Sequence, residues 1–437
     1  MKPNQDIFCT SPWYELHVYW NGDFGICCSG IHKLFDDSES QKYNIKNMSI
    51  KEWYNSESVK KLRLDLLGQN KLSYCTKCYN QEEYGSISRR HNQNQKSVIF
   101  KNENFEQSFQ QSPHYKNFLI SYNNQGLSDN SPLDLHIDLG NHCNLACKMC
   151  WAPASSKIAV QQIKWGDETA RTFLSNDWTQ DQEVWDRFLN EIVEIENLQI
   201  VHFMGGETLL SNRFDDFLDF MIDKKRFDLQ LQFVSNGTVY KPDIVEKLKK
   251  FKRVGFEISI ETITEHNSYT RQGTDTEAVI SNIKKYKEHT NKSNINLILR
   301  TAVSVLTIGN YPTLLQFALD NELFLKTDPV VLPLFMNPNI VPNRIKEQYK
   351  IKYLQLKETI DLGKDLNLDY NSSDPNEYKR VILDEIDRCI NILSDKTESE
   401  DLLEKLVKHC KKWDSVYRYD ALTLYPEFKD IFVKNGY

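Results

Sequence analysis

No run of about 18 or more apolar residues occurs in this 437-residue chain, which excludes a membrane-crossing helix. The segment Met1-Lys2-Pro3-Asn4-Gln5-Asp6 also lacks the apolar stretch of a signal peptide, so the protein is expected to stay in the cytoplasm, with no membrane partner. Positive charge is short too. The 54 Lys and Arg against 61 Asp and Glu leave a net charge of −7, which argues against nucleic acid as a partner, since non-specific affinity for it comes from clustered basic residues. A local exception, Arg89-Arg90-His91 through Lys101, reads as a solvated loop.

What the chain does have is cysteine, ten residues of it. In a reducing compartment these stay free of structural disulfides, so metal ligation is their leading use. Eight fall within the first 150 residues, as Cys9, Cys27-Cys28, Cys75 with Cys78, and Cys143 with Cys147 and Cys150. Cys389 and Cys410 stand alone in helical sequence and read as small buried hydrophobes.

The length allows about three domains, and 40% hydrophobic content can fill their cores. Residues 1–100 read as a small α+β module: the alternation over 13–20 is strand-like, Asn21-Gly22 signals a hairpin, and Ser49-Ile50-Lys51-Glu52 opens a capped helix. Residues 101–132 are polar, with Pro113 and Pro132, and read as a linker. From 133 to 340 short β-rich runs alternate with amphipathic segments, with strands expected at 133–139, 198–204, 229–235, 253–260, 295–305 and 329–334, and helices at 180–196, 213–225, 242–251 and 275–289. Six βα units predict an α/β fold, a partial (β/α)6 TIM-like barrel that stays open, with its active site at the C-terminal strand ends. Residues 341–437 are helical, interrupted at 371–375, and serve either as a cap on the barrel or as a partner surface.

The loop after the first expected barrel strand contains Cys143-x3-Cys147-x2-Cys150. Three thiolates on one loop bind three irons of a four-iron cubane and leave the fourth iron without a protein ligand, which is where a substrate can coordinate. The alternatives are a zinc site borrowing His142 or a distant cysteine, and three unligated thiols. Later, Gly205-Gly206-Glu207 follows the second strand, where glycines permit close backbone approach and a carboxylate can pair with an ammonium.

This ordered set resembles the radical S-adenosylmethionine (SAM) superfamily. The resemblance implies a [4Fe–4S] cluster held by Cys143, Cys147, Cys150 and SAM, with Gly205, Gly206 and Glu207 on the methionine amino group. Ser235-Asn236-Gly237-Thr238 is similar to the family's "TNG" turn, with Ser in place of Thr. Glu257-Ile258-Ser259-Ile260-Glu261 is similar to the "SxDG" segment, placing Ser259 and Glu261 near the ribose and carboxylate of the cofactor, with Glu where Asp is common and no Gly after it. Arg271 is assigned to the methionine carboxylate, its alternative being a surface arginine, and Met149 stands where many relatives have an aromatic residue near adenine. Val303 either touches adenine or is a core valine.

The N-terminal cysteines, with Glu82 and Gly85, resemble the SPASM/twitch auxiliary-cluster module, here placed before the barrel. That implies a second, auxiliary [4Fe–4S] cluster on Cys9, Cys28, Cys75 and Cys78, with Cys27 as the substitute for Cys28; structural zinc is the alternative that Cys75-x2-Cys78 alone would fit. The implied chemistry is reductive cleavage of SAM to a 5′-deoxyadenosyl radical that abstracts hydrogen, fed by a reducing electron donor of flavodoxin or ferredoxin type. A peptide or protein is the favoured substrate. A small molecule such as a sugar, nucleotide or metabolite is the enzymatic alternative, and a non-catalytic redox or binding protein the other.

Overall fold

The computed structural model describes residues 4–30, 42–68, 70–83, 87–96, 105–112, 114–174, 177–360 and 377–437. The expected features at Gly85, 97–101, Pro113 and 371–375 lie outside them.

Ten strands are described: β1 (Glu15–Val18), β2 (Phe24–Gly25), β3 (Asp134–Asp138), β4 (Ala146–Cys147), β5 (Ile200–Met204), β6 (Gln230–Ser235), β7 (Arg253–Ser259), β8 (Arg271–Gln272), β9 (Ile295–Val303) and β10 (Phe324–Pro329). β3, β5, β6, β7, β9 and β10 are the six barrel strands, each followed by helix. β4 and β8 make a separate two-stranded ribbon.

The chain divides into two units, and not at the expected linker: one holds 1–142, 152–233 and 246–254, the other 143–151, 234–245 and 255–437. In the first unit the strand order is β6-β5-β3-β1-β2. β1 runs parallel to β3 with Glu15 opposite Asp134 and His17 opposite His136, so the N-terminal hairpin extends the barrel's own sheet instead of forming a module apart. All four β1 residues are therefore buried, whereas period-2 alternation would suit a half-exposed strand. The segment expected as linker is also core. Helices Phe105–Gln111 and Tyr115–Asn123 bring Phe109 and Phe118 onto Phe8, with ring centroids 5.0 and 5.3 Å away, and Trp13 donates from Nε1 to Ser121 Oγ at 2.8 Å. Its polar residues cover the outside of an aromatic cluster.

Local signals explain the helices around the sheet. Ser49 and Glu52 close a capping box on Ile50–Tyr54. Asp181 caps Gln182–Glu194, whose stripe Val184, Trp185, Phe188, Leu189 and Ile192 is buried.

In the second unit β9 and β10 pair in parallel, Phe324 opposite Ile298 through Pro329 opposite Val303. The sixth barrel strand therefore lies earlier than the expected 329–334. It is an edge strand that exposes Phe324, Lys326 and Asp328 and buries Leu325 and Thr327, and this half-polar alternation gave a weaker signal than the apolar run after it. Helices Asn343–Glu358, Glu377–Ser394 and Glu400–Tyr417 complete this unit.

Candidate functional site

In the second unit the cysteine loop is held by the β4–β8 ribbon, where Cys147 stands opposite Arg271. Beyond it the Cys150 N–H donates to the Cys147 carbonyl at 3.0 Å. None of the three thiols is in a disulfide. Burial pushes the Cys147 thiol well above its ordinary range, opposed by Arg271 and reinforced by Cys150 and Cys143. Cys150 is pushed up to about 11, again chiefly by burial. Three thiols on one loop, two of which resist ionisation by themselves, with one guanidinium beside them, are a donor set that a metal centre would satisfy.

The other expected cofactor residues of this unit meet the same loop. Asn236 Nδ2 donates to Asn144 Oδ1 at 2.7 Å, Asn144 Nδ2 donates to Thr238 Oγ1 at 2.9 Å, and the Gly237 N–H donates to Ser235 Oγ at 3.1 Å. Ser259 is buried at the end of β7, and Met149 is half-buried between two of the cysteines. Glu261 is fully buried, and its two oxygens take the Nε and Nη2 of Arg271, the latter at 2.9 Å. Arg271 is thus no surface arginine. Against the opposing effect of burial, Glu261 and Cys147 hold its guanidinium above the ordinary range, and Nη1 lies 3.7 Å from Cys147 Sγ. Glu261 and Arg271, both expected near the cofactor, meet each other in one joined pair. Val303 is a buried core valine.

In the first unit Gly205 and Gly206 have φ of +84° and +56°. A Cβ on Gly205 would sit 2.3 Å from the Gly140 carbonyl oxygen, and one on Gly206 would sit 2.1 Å from that of His142. The glycines thus let this turn lie against the backbone just before Cys143. Here the close approach is to protein. The Glu207 N–H donates to the His142 carbonyl at 2.8 Å, and its buried carboxylate accepts from the Leu209 N–H at 3.1 Å.

A second group of thiols surrounds a small hollow lined by Cys9, Cys27, Cys75 and Cys78 together with Arg89 and Arg90. Cys27, not Cys28, faces it. Burial pushes the Cys9 thiol up to about 11, opposed by Ser11 and reinforced by Cys78, and raises Cys75 well above its range, reinforced by Cys9 and Cys78. Four thiols and two cations around one hollow fit an anionic metal–thiolate group. The expected solvated loop at Arg89-Arg90 is a helix, Arg89–Lys96, and both guanidinia are committed inside the protein: Arg89 Nη2 is 2.9 Å from Glu15 Oε1, and Arg90 Nε is 2.9 Å from Glu82 Oε1. Arg89 gave no cue to its partner, because Glu15 lies 74 residues away in sequence.

One polar group on the sheet has no sequence signature. His202 Nε2 lies 2.9 Å from Asp134 Oδ1, and the His136 and His202 rings stack at 4.1 Å and 5°. His136 Nε2 lies 3.4 Å from the same Asp134 oxygen, so the three side chains each bring a ligand atom within 4.8 Å of the others, as a small metal group would need, while Arg89 Nη2 also lies 2.9 Å from His136 Nε2.

Residues 137–303 match the radical SAM superfamily, and residues 9–79 match an iron–sulfur cluster-binding domain of the SPASM type. The radical SAM cyclopropyl synthase TigE of Paramaledivibacter caminithermalis is 24% identical over 168 residues, 38% of this chain and 35% of that protein. The chain thus spans about a third of that relative's length. Among solved structures, anSMEcpe with bound AdoMet aligns with 17% identity and a TM-score of 0.39 over 52% of this chain and 61% of that one. Streptococcus suis SuiB bound to precursor peptide SuiA aligns with 15% identity and a TM-score of 0.36 over 65% and 60%. Residues 137–303 thus form a radical SAM superfamily domain, behind an N-terminal SPASM-type iron–sulfur domain at residues 9–79.

Proposed function

We propose that this protein is a radical SAM enzyme that modifies a peptide or protein. The observation that carries the reading is the Cys143, Cys147, Cys150 loop: three half-buried thiols on one loop, with Arg271 at 3.7 Å from one of them. Cys143, Cys147 and Cys150 would hold a four-iron cluster that, with SAM and one electron, would supply a 5′-deoxyadenosyl radical for hydrogen abstraction from the substrate.

The chain's own task is to hold and orient. Asn236 and Asn144 brace the loop, and the Glu261–Arg271 pair fixes the charge beside Cys147. Following the family pattern, Glu207 takes the methionine amino group, and Ser235, Ser259 and Met149 complete the cofactor contacts. Cys9, Cys27, Cys75 and Cys78 are proposed to hold the second cluster, with Arg89 and Arg90 offsetting its charge. Support for a peptidyl substrate is the SPASM-type domain at 9–79, a companion of peptide modification in this family. Among the described residues no helix is long and apolar enough to cross a membrane, and free thiols with a low-potential donor of flavodoxin or ferredoxin type suit the cytoplasm.

The test is anaerobic reconstitution followed by dithionite and SAM. Formation of 5′-deoxyadenosine, lost on Cys147→Ser, is expected. A protein loaded with both clusters that forms none, with or without candidate peptides, refutes the reading. Turnover of a sugar or nucleotide and not of peptides refutes the substrate class alone.

A further inference from the structure

Lys148 sits between the second and third cysteines of the loop, and its side chain has no exposed surface. Its Nζ lies 2.9 Å from Asp414 Oδ1, on helix Glu400–Tyr417, and 4.0 Å from the centre of the Tyr269 ring. Asp414 is itself only 6% exposed. Its second oxygen accepts from Tyr269 Oη at 3.1 Å, Tyr437 Oη at 2.5 Å and the Ala421 N–H at 3.2 Å. The Lys148 backbone is tied as well: its N–H donates to the Thr270 carbonyl at 2.8 Å, and its carbonyl accepts from His409 Nε2 at 3.2 Å.

A buried ammonium is tolerated only when it is paired, and a buried carboxylate only when its lone pairs are filled. Both conditions hold here. The residue that receives this investment lies directly between two thiols, and its partner lies on a helix that sequence reading left as either cap or partner surface. Surface ion pairs fix little, since solvent competes with both charges; a desolvated pair with three further donors on the acid has one geometry.

We propose that Asp414 is a positioning residue. Through Lys148 it fixes the Cys147–Cys150 segment, and with it the alignment of SAM on the cluster that this segment holds. The inference rests on the function proposed above. The C-terminal helix then belongs to the cofactor site's scaffold, and the tail is no detachable cap.

The test uses the full-length, anaerobically reconstituted protein and compares Asp414→Asn with Asp414→Glu. Two quantities are read: the change that SAM causes in the electron paramagnetic resonance spectrum of the reduced protein, and KM for SAM against kcat for 5′-deoxyadenosine. For Asp414→Asn a KM raised at least about tenfold is expected, with kcat changed less and the SAM-dependent spectral change weakened, while Asp414→Glu recovers most of the loss. If Asp414→Asn does not fold, the double variant Lys148→Met with Asp414→Leu replaces it. That variant removes both charges, and the same weakened response is expected. A variant that keeps the wild-type response and KM overturns the inference alone. A wild-type protein with no response to SAM overturns the proposed function, and the inference with it.

Discussion

Arg271 and Glu261 form a buried pair beside the cysteine loop, with Nη2 2.9 Å from Oε1 and Nη1 3.7 Å from Cys147 Sγ. Removing one member strands the other's charge away from water. Arg271→Met is therefore expected to cost about 3–5 kcal/mol, and Arg271→Met with Glu261→Leu distinctly less, because no orphan charge remains. Denaturant midpoints at constant slope measure both. A single variant no worse than the double contradicts the pairing.

The second cluster separates two adjacent cysteines. Cys27 lines the thiol cavity and Cys28 does not. Cys27→Ser is expected to lose about half of the iron, one of two clusters of equal iron content, while Cys28→Ser keeps it. Iron analysis after reconstitution decides, and the opposite pattern would return the ligand to Cys28.

Gly206 tests the turn. At φ +56°, with the His142 carbonyl oxygen 2.1 Å from the site of a Cβ, Gly206→Ala must move backbone. A left-handed alanine already costs about 1–2 kcal/mol before the clash is counted. SAM affinity is expected to fall at least about tenfold while the SPASM-type domain keeps its iron; calorimetric titration with SAM measures the first and metal analysis the second.

His409 gives the second unit an acid sensitivity. Burial, with Lys148 next, lowers its pKa from the ordinary 6.5 to about 4. Between those values the unfolded chain takes up a proton that the folded one refuses, so stability is full above pH 6.5 and falls as pH drops toward 4. The loss is about 2 kcal/mol after allowance for partial exposure. His409→Gln, which keeps a donor for the Lys148 carbonyl, is expected to flatten that part of the variant's own stability curve, so that the wild-type minus variant difference falls as pH drops from 6.5 toward 4, followed by denaturant unfolding at each pH.

Phe118 tests the segment that reads as a linker. It is fully buried against Phe8, Trp13 and Phe109. Phe118→Ala is expected to destabilise by about 3–5 kcal/mol, whereas a true linker would lose almost nothing; a thermal melt distinguishes them.

Much of the architecture was legible because its signals are local. The Ser49 capping box, the stripe from Val184 to Ile192 and the Cys143-x3-Cys147-x2-Cys150 spacing each lie within one or two turns of chain. What stayed hidden depends on distant partners. Nothing near Arg89 announces Glu15, nothing near Lys148 announces Asp414, and the Asn- and Gln-rich stretch at 105–123 conceals two phenylalanines whose partners lie at Phe8 and Trp13. β10 was misplaced because an edge strand shows one apolar face only.

The parallel pairing of β1 with β3 bears on the order of events during synthesis. Glu15 emerges from the ribosome long before its rung partner Asp134, so the first strand must wait for more than a hundred residues of chain before its ladder can close. A nascent SPASM-type segment released early would present an unpaired strand edge and uncovered thiols together, which makes the interval before β3 appears the one in which this polypeptide is most exposed to aggregation and oxidation.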